Sequence, residues 1–492
     1  MRHEVGAFVI LAVIVIGFWS LLTYYGDKLP LPWCDDVFFI QPAENLANGY
    51  GMGTPVLNNL LPNISKRTYW QPPVYFLSLA LWGKFLGFDL IEARTFSRVL
   101  GVLGLVLLFF LSRQWGLSAW ASLLPVFWVS LDLVYQYRSN MVRPDVLTSV
   151  LVMATVISFG EAIKRDEMSL FRLSGIFGTL ASLCHFISIP ILVFLTFTLA
   201  VMRHWRALST FNVPFTVGWG MWLLYALQDW QAFVAQLRYQ FTRHGKLVIS
   251  TLIQWSELKE WLFLARWVDT TLLPNNEPPW AVVMGAWLLM VAMLRIAFGK
   301  GIIPSWKVGL ILSAYLTTTF LPRREMHYLA IFAPLGYLAV VTVVHYTVQK
   351  VVIRHVLLAL ALLWGGIQTV RIYMMIAAIP QVEVQVKRIF RDLERKLPQG
   401  ATVLLQCSPD PYFHLKRKRP DLVLYEIYLH ITPEQFKQLY YRADYIVWMT
   451  EINSMSSLRC VRNWTIRLPW LGENGVYKIW LMSVKRESKG KG

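Results

Sequence analysis

Residues 96–113 read FSRVLGVLGLVLLFFLSR, and after a short turn residues 119–137 continue as AWASLLPVFWVSLDLVYQY. Each run has close to the length of about 20 apolar residues that a helix needs to cross a lipid bilayer. Apolar runs of this kind recur from the N-terminus to residue 376, and the charged residues cluster between them. The sequence therefore predicts a polytopic α-helical membrane protein.

The apolar runs predict about eleven transmembrane helices, at residues 5–25, 96–113, 119–137, 146–163, 171–187, 188–202, 208–228, 280–298, 305–322, 328–347 and 351–376. The fifth and sixth are halves of one stretch that is too long for a single crossing, and we divide it near His185 and Pro190. The run at 72–87 fits either a crossing or an amphipathic helix along the membrane interface. We place it at the interface because the topology then closes consistently.

The composition supports a membrane protein and argues against a nucleic-acid-binding protein. Of the 492 residues, 56% are hydrophobic and 15% are charged, whereas a soluble domain has roughly 25% charged residues. The formal net charge is +18. Basic loops that set membrane orientation account for this charge, and no basic–aromatic nucleic-acid-binding module is present. We expect membrane lipids as partners and no nucleic acid.

The distribution of Lys and Arg predicts the orientation of the chain. Most of those in short loops lie on the side of the N-terminus, whereas the opposite short loops hold Arg138, Arg143, Arg323 and Arg324. The basic side faces the cytoplasm, and an odd number of helices then puts the C-terminus outside. We expect a membrane module at 1–379, with long outer loops at 26–95 and 229–279.

The composition changes near residue 380, and residues 380–492 have the pattern of a small α/β domain on the outer face. Apolar residues with helical spacing run from Val386 to Leu397. Strand-like runs follow at 402–406, 422–425, 445–449 and 476–484, with a helical stretch near 433–441. Two of the four cysteines, Cys407 and Cys460, fall in this domain and can either pair or remain free.

An acidic pair opens the first outer loop, where residues 32–39 read PWCDDVFF. Asp35 and Asp36 stand just beyond a membrane helix in an aromatic setting, where a carboxylate can take a proton from a hydroxyl group. Residues 42–50, PAENLANGY, predict a short helix that ends at Gly49. Two solvated acids at a helix exit are the alternative interpretation of the pair.

The order of the following motifs carries a family resemblance. After the acidic pair and the short helix come an x-Pro-Pro-x-Tyr segment at 71–75, a Phe-Leu-Gly turn at 85–87 and the run ARTFSRVLG at 93–101. This order resembles the polyprenyl-phosphate-sugar-dependent glycosyltransferases of the GT-C superfamily, in particular the protein O-mannosyltransferase and lipid A aminoarabinose transferase group. The resemblance implies a GT-C-like helical fold with its active site on the outer leaflet.

The resemblance also implies roles for particular carboxylates. Asp35 matches the first acid of the family's acidic pair, which is the expected catalytic carboxylate, and Asp36 replaces the usual Glu. The resemblance implies a catalytic set of Asp35, Asp36 and Asp145. Asp145, in Arg143-Pro144-Asp145, stands where the family has an acid in its second outer loop. No cofactor is implied with certainty, and a divalent metal ion between Asp35 and Asp145 remains open because some relatives use one.

The same resemblance implies a set of donor contacts. Arg323 and Arg324 break the positive-inside trend, and Arg suits two-point binding of phosphate. Snorkelling to lipid headgroups is the alternative. The full set of expected phosphate-binding residues is Arg323, Arg324, Arg67, Lys66, Arg143, His327 and Tyr328. Further contacts to the donor or the acceptor are expected from Tyr69, Trp70, Gln71 and Arg138, and the family's usual Lys is replaced by Gln71.

The predicted function is transfer of a sugar from a polyprenyl-phosphate donor to an acceptor hydroxyl, with inversion, in the bacterial cytoplasmic (inner) membrane. The acceptor can be a glycan, a lipid or a protein. Two alternatives are a lipid-linked-glycan transporter or flippase and an O-antigen polymerase or ligase. His185 and Asp410 are interpreted as structural residues of a helix break and of a turn.

Overall fold

The computed structural model describes residues 2–26, 28–57, 60–242, 304–319, 329–347, 351–427, 439, 442–449, 458–467 and 476–484. The helices up to residue 242 are α1 (Arg2–Tyr25), α2 (Cys34–Ala47), α3 (Val74–Leu86), α4 (Leu90–Gln114), α5 (Ala119–Leu131), α6 (Leu133–Arg138), α7 (Asp145–Arg165), α8 (Met168–Cys184), α9 (Ile189–Val201), α10 (Trp205–Leu227) and α11 (Trp230–Thr242). Short 3₁₀ turns lie at Pro55–Leu57 and Phe186–Ser188. Further along the chain lie α12 (Ser305–Thr319), α13 (Leu329–Thr347) and α14 (Val351–Lys396).

Several of these helices match the lengths that a membrane demands. Glu4–Tyr25, Leu90–Gln114 and Asp145–Arg165 are long and apolar enough to cross a bilayer. Shorter apolar helices, α3, α5, α8, α9 and α13, accompany them. The predicted helix at 280–298 lies outside the described residues, so the total of eleven stays a prediction.

Two polar residues break apolar runs. The run predicted as one helix at 119–137 is divided into α5 and α6 at Asp132, which has an extended backbone. Its carboxylate accepts the N–H of Tyr135 at 2.8 Å and the hydroxyl of Tyr337 at 2.8 Å. The break predicted near His185 is confirmed, because α8 ends at Cys184 and His185 Nδ1 accepts the N–H of Ile187 at 3.2 Å.

Close helix packing in the bundle depends on small residues. At Gly175 on α8, a Cβ atom would overlap the backbone carbonyl oxygen of Phe211 on α10. At Gly104 on α4, a Cβ atom would overlap the hydroxyl of Tyr135, which donates to the carbonyl of Gly101 at 3.1 Å. The absence of a side chain at these positions lets the backbones approach each other.

The helix α14 leads from the membrane part into the C-terminal domain without a break. Separate helices were predicted at 351–376 and from Val386 to Leu397, and this separation is wrong, because one helix spans Val351–Lys396. Pro380 lies inside this helix. A proline in a helix removes one backbone hydrogen bond, but it need not end the helix when surrounding contacts support both sides.

A five-stranded sheet follows, with β1 (Thr402–Gln406), a helix α15 (Tyr412–Lys418), β2 (Val423–Glu426), β3 (Tyr445–Trp448), β4 (Leu458–Arg467) and β5 (Val476–Val484). The strand order is β2-β1-β3-β5-β4. β1 pairs in parallel with β2 and β3, and β5 is antiparallel to β3 and β4. The strands predicted at 402–406 and 476–484 are confirmed, and those at 422–425 and 445–449 are shifted or shortened by one residue. β4 was not predicted, and the predicted helix near 433–441 lies almost wholly outside the described residues.

The cysteines of the C-terminal domain are free thiols in this fold, with Cys407 buried and Cys460 exposed. Cys407 follows β1, and Cys460 lies on β4, which is three strand positions away in the sheet. Three steps of about 4.8 Å between neighbouring strands exceed the separation of roughly 7 Å that a disulfide tolerates between Cα atoms. The pairing alternative for these two cysteines is therefore excluded in this structure.

Candidate active site

The acidic pair lies in the first turn of α2. The predicted helix from Pro42 begins earlier, at Cys34, and Pro42 lies inside it. Trp33 is the N-cap residue, and its backbone N–H donates to Asp36 Oδ2 at 3.3 Å. Carboxylates are favoured in a first helical turn, where they accept otherwise unpaired N–H groups and face the positive end of the helix dipole. The acids themselves therefore help to start the helix.

Asp36 is fully buried, with 0% of its surface exposed, in an ion pair with Arg94 of α4. Arg94 Nη2 donates to Asp36 Oδ2 at 2.8 Å, and Arg94 Nη1 donates to the carbonyl of Pro30 at 2.8 Å. The other oxygen, Asp36 Oδ1, accepts the backbone N–H of Val142 at 2.9 Å. Asp36 thus joins the start of α2 to two other segments of the bundle.

A second arginine of α4 holds the chain where it leaves α1. Arg98 Nη2 donates to the carbonyl of Gly26 at 2.8 Å, and Arg98 Nε donates to Asn140 Oδ1 at 2.6 Å. The Asn140 amide in turn donates to the carbonyls of Gly26 and Leu29. Arg94 and Arg98, which the sequence showed only as part of a motif, fix the path of the chain from α1 to α2.

Asp35 and Asp145 converge on one guanidinium group. Arg143 Nη1 donates to Asp35 Oδ2, and Arg143 Nε donates to Asp145 Oδ2 at 2.9 Å. The side chain of Asp35 keeps 16% of its surface exposed, whereas that of Asp145 keeps 0%. The Arg143 guanidinium also lies 5.7 Å from the centre of the Phe39 ring. The sequence-predicted residues Asp35, Arg143 and Asp145 therefore form one cluster, of which Asp35 is the carboxylate that solvent reaches.

The positive charge between these two carboxylates comes from the protein itself. Within the described ranges, no group of three or more His, Cys, Asp and Glu side chains could hold a metal ion. A divalent ion between Asp35 and Asp145 would compete with the Arg143 guanidinium for the same carboxylate oxygens. This donor set does not fit a metal ion in the arrangement observed.

The other expected contacts that lie between α2 and α3 differ in exposure. Lys66 is exposed, and Arg67 is half-buried with its guanidinium 5.9 Å from the centre of the Tyr225 ring. Tyr69 is buried against Trp222, Tyr225 and Phe233, and its backbone N–H donates to Gln236 Oε1 at 2.7 Å. A buried Tyr69 anchors this segment to α10 and α11.

The next two residues and Arg138 are also largely enclosed. Trp70 packs against Phe38 and Phe39 of α2. Gln71 is 4% exposed, and its Oε1 atom has no hydrogen-bond partner among the described residues. Arg138 Nη1 lies 3.1 Å from the sulfur of Met141. None of these contacts tests a role with substrate, so their assignment stays a prediction.

The four residues expected around the donor phosphate between α12 and α13, Arg323, Arg324, His327 and Tyr328, lie outside the described residues. His185 has the structural role that the sequence predicted, since it caps the turn after α8.

Sequence reasoning missed the contact between the C-terminal domain and the start of α2. The backbone N–H of Asp410 donates to the carbonyl of Pro32 at 2.8 Å.

Comparisons with known proteins bear on the fold and the family. Residues 70–232 match the family model of the dolichyl-phosphate-mannose-protein mannosyltransferases. This segment contains Arg94, Arg143 and Asp145. No curated protein sequence matches the chain.

Solved structures extend the likeness over nearly the whole chain. ArnT from Cupriavidus metallidurans bound to undecaprenyl phosphate aligns with a TM-score of 0.55 and 12% identity, covering 96% of this chain and 98% of that chain. Its apo form gives a TM-score of 0.53 at 12% identity, with coverage of 97% and 98%. The Archaeoglobus fulgidus oligosaccharyltransferase, tethered with an acceptor peptide, gives 0.50 at 10% identity, with coverage of 91% and 69%. The chain therefore shares the fold of these structures, and the resemblance to the GT-C glycosyltransferase group that the sequence motifs predicted is confirmed.

Proposed function

We propose that this protein transfers a sugar from a polyprenyl-phosphate carrier to a hydroxyl group of an acceptor, at the outer face of the bacterial cytoplasmic membrane. The observation that carries the proposal is the cluster of Asp35, Arg143 and Asp145 at the starts of α2 and α7. The ArnT structure with the same fold was solved with undecaprenyl phosphate. A carrier of this class supplies the leaving phosphate that the mechanism requires.

In this mechanism Asp35 is the base. Its carboxylate is ion-paired with Arg143 and therefore ionised, and it is the member of the cluster that solvent reaches. It takes the proton of the acceptor hydroxyl while the hydroxyl oxygen forms a bond to C1 of the sugar. The bond between C1 and the phosphate oxygen breaks, and the phosphate leaves with the electron pair. A single displacement of this kind inverts the configuration at C1.

Arg143 and Asp145 position the base. Arg143 is held between the two carboxylates and over the Phe39 ring, so it has little rotational freedom. A base that is fixed in one orientation reacts faster because less freedom is lost at the transition state. Asp36 has a different role in this proposal, since its oxygens are occupied by Arg94, Val142 and Trp33.

The charge that develops on the leaving phosphate requires cations. Arg67 and Lys66 of the first outer loop, together with Arg323 and Arg324, are proposed to supply it. Guanidinium groups bind phosphate through two hydrogen bonds, and they stabilise its charge more strongly in a poorly hydrated groove than in water. Tyr69 raises the pKa of Arg67, and an arginine side chain is charged at any physiological pH.

The test uses a strain that lacks the protein, complemented with the wild type, Asp35→Asn or Asp89→Asn. Asp89 is the control, because it is an exposed acid of the same outer loop whose side chain caps no backbone N–H group. Loss of a general base lowers a rate by about 10²- to 10⁴-fold. We expect the strain that lacks the protein and the strain with Asp35→Asn to accumulate the same polyprenyl-phosphate sugar. This lipid is measured by mass spectrometry of the extracted lipids.

The wild type and Asp89→Asn are expected to clear that lipid. A transporter, a flippase or an O-antigen polymerase or ligase would retain most of its function in Asp35→Asn. Clearance of the lipid by Asp35→Asn would therefore contradict the proposed function.

A further inference from the structure

The C-terminal domain contacts α2 along most of its length. Before the helix begins, the N–H of Asp410 donates to the carbonyl of Pro32 at 2.8 Å. In the middle of the helix, Gln41 Nε2 donates to the hydroxyl of Tyr412 at 3.2 Å. Near its end, Glu44 forms an ion pair of 2.9 Å with Lys416 of α15. The helix that carries Asp35 therefore rests on the C-terminal domain.

Two buried carboxyl groups lie at this contact. β1 leads into the turn that contains Asp410, and β2 ends at Glu426. Because β1 and β2 are parallel, their carboxyl ends meet at the same edge of the sheet. Asp410 is 2% exposed and Glu426 is 0% exposed. In open α/β sheets this edge is the usual place for a ligand, but here the segment before α2 covers it.

The side chains of Asp410 and Glu426 interact with each other through a hydrogen bond that affects the pKa of both. Asp410 Oδ1 accepts the N–H of Tyr412 at 2.9 Å. The other oxygen of Asp410 and both oxygens of Glu426 bind no other N–H or O–H group among the described residues. Two neighbouring carboxylates that are buried without a cation cannot both be ionised, so a single proton bridges such a pair.

Burial raises the pKa of both groups. The pKa of Asp410 is raised to about 7, mainly by burial and in part by the nearby charge of Asp36, although the backbone N–H of Tyr412 and the hydrogen bond with Glu426 lower it. Burial and the charge of Asp410 raise the pKa of Glu426 well above its ordinary value. Glu426 is therefore the member that keeps the proton and donates it to Asp410.

Among the described residues, the groups that face the pair from the surrounding elements supply no positive charge. Cys34 and Asp36 face it from α2, Cys407 from the end of β1 and Tyr412 from α15. Asp36 is ionised and is itself paired with Arg94. Loss of the bridging proton therefore leaves two adjacent negative charges without compensation.

We propose that Asp410 and Glu426, joined by one shared proton, are positioning residues that hold the segment before α2, and with it Asp35, against the C-terminal domain. This assignment rests on the proposed function only in that Asp35 is the base. The contact itself is a property of the fold. When the pair loses its proton, repulsion separates the two surfaces and Asp35 loses its fixed position.

The contact between the C-terminal domain and the segment before α2 depends on pH because the two acids bind a proton more tightly in contact than apart. Separated and hydrated, the two acids have ordinary pKa values near 4, whereas in contact they keep a proton to about pH 7 and above. The contact is therefore most stable below about pH 4, and it weakens as the pH rises from about 4 to about 7. For one bound proton, the equilibrium constant for contact falls by about tenfold for each pH unit.

The experiment measures the protection of Cys34 and Cys407, which lie on the two sides of the contact and are both buried. The full-length protein in detergent carries Cys460→Ser, which removes the exposed thiol. Alkylation by N-ethylmaleimide between pH 5 and 9 is followed by peptide mass spectrometry. The alkylation rate of each cysteine is divided by its rate in the unfolded protein, measured in sodium dodecyl sulfate at the same pH. This ratio corrects for the pH-dependent fraction of thiolate, which is the form that reacts. Cys184, buried in the helical bundle, is the internal control.

We expect the protection of Cys34 to fall as the pH rises, by about tenfold for each unit in the steepest part, while Cys184 stays protected. Glu426→Gln has the same shape, stays neutral and can donate to Asp410. It should keep Cys34 protected to higher pH, whereas Glu426→Ala should lose protection even at pH 6. The matched control is Glu394→Gln, which removes a partly exposed carboxylate from the same domain and should behave as the wild type.

Protection of Cys34 that is independent of pH and identical in Glu426→Gln, Glu426→Ala and Glu394→Gln would overturn the proposal. The assay needs no substrate, so its outcome is separate from that of the Asp35 test. Where transfer activity is measured as well, Glu426→Gln should extend the pH profile to the alkaline side. A structural role alone would lower activity equally at every pH.

Discussion

Replacing Asp36 with Asn should destabilise the protein far more than the same change at its neighbour Asp35. Asp36 and Arg94 are both 0% exposed and lie 2.8 Å apart. Asparagine retains an acceptor for the N–H of Val142, but its amide group would face the donors of Arg94. The change therefore leaves a guanidinium charge buried without a counter-ion.

The magnitude follows from the burial of this pair. Removing one partner of a buried ion pair costs about 3–5 kcal/mol, because the remaining charge has lost its compensation. Asp35, by contrast, keeps 16% of its side chain exposed, so the Arg143 charge that Asp35→Asn leaves behind retains Asp145 and some access to water. Asp35→Asn should change stability by no more than about 1 kcal/mol, which is typical of partly exposed pairs.

The assay is thermal unfolding of the purified protein in detergent, followed by the loss of a monodisperse size-exclusion peak after heating. We expect Asp36→Asn to lower the midpoint by several degrees and Asp35→Asn to leave it nearly unchanged. The double variant Asp36→Leu with Arg94→Met removes both charges, and it should recover much of the loss, because apolar replacement of a buried pair is often neutral. Equal midpoints for the wild type and Asp36→Asn would refute the assigned role of this ion pair.

Two further outcomes can be checked directly. Gly175→Ala places a methyl group against the backbone carbonyl of Phe211 and forces α8 away from α10. This shift should cost about 1–3 kcal/mol of stability and lower the midpoint of thermal unfolding. The control, Gly220→Ala, places its methyl group in open space and should cost far less. Because Arg143 already bridges Asp35 and Asp145, treatment with EDTA should leave transfer activity unchanged. Inhibition by EDTA that one added divalent ion reverses would contradict the second expectation.

The helices that could be predicted from sequence are those whose evidence is local. A bilayer sets a minimum length and hydropathy, so α4 and α7 are recognisable from their own residues. The extent of α14 could not be predicted in the same way, because Pro380 marks a boundary locally, whereas the continuous helix depends on contacts elsewhere. Strand β4 was missed because most of its side chains are exposed, and an edge strand of this kind lacks the alternation that identifies a half-buried strand.

The sequence predicted which residues form the site, but not how they pair with one another. Asp35, Arg143 and Asp145 were expected on the same face, and the structure brings them together. The Arg94–Asp36 and Arg143–Asp35 ion pairs join residues 58 and 108 positions apart, and no local pattern contains such pairings, whereas Arg143 and Asp145 are only two positions apart. Asp410 shows the same limit, because its turn was predicted correctly but its burial against the first outer loop was not.

The opposite roles of two adjacent acids follow from where α2 begins. Neighbouring residues of a helix point about 100° apart, so Asp35 and Asp36 cannot face the same group once Cys34 is helical. Asp36 is held by Arg94, by the N–H of Val142 and by the N–H of Trp33, and these contacts fix the rotation of the helix about its axis. The direction of Asp35 is then determined, although its own partner is the single side chain of Arg143. In an irregular loop the same two acids would have no such coupling, so the buried carboxylate is what gives the exposed one its orientation.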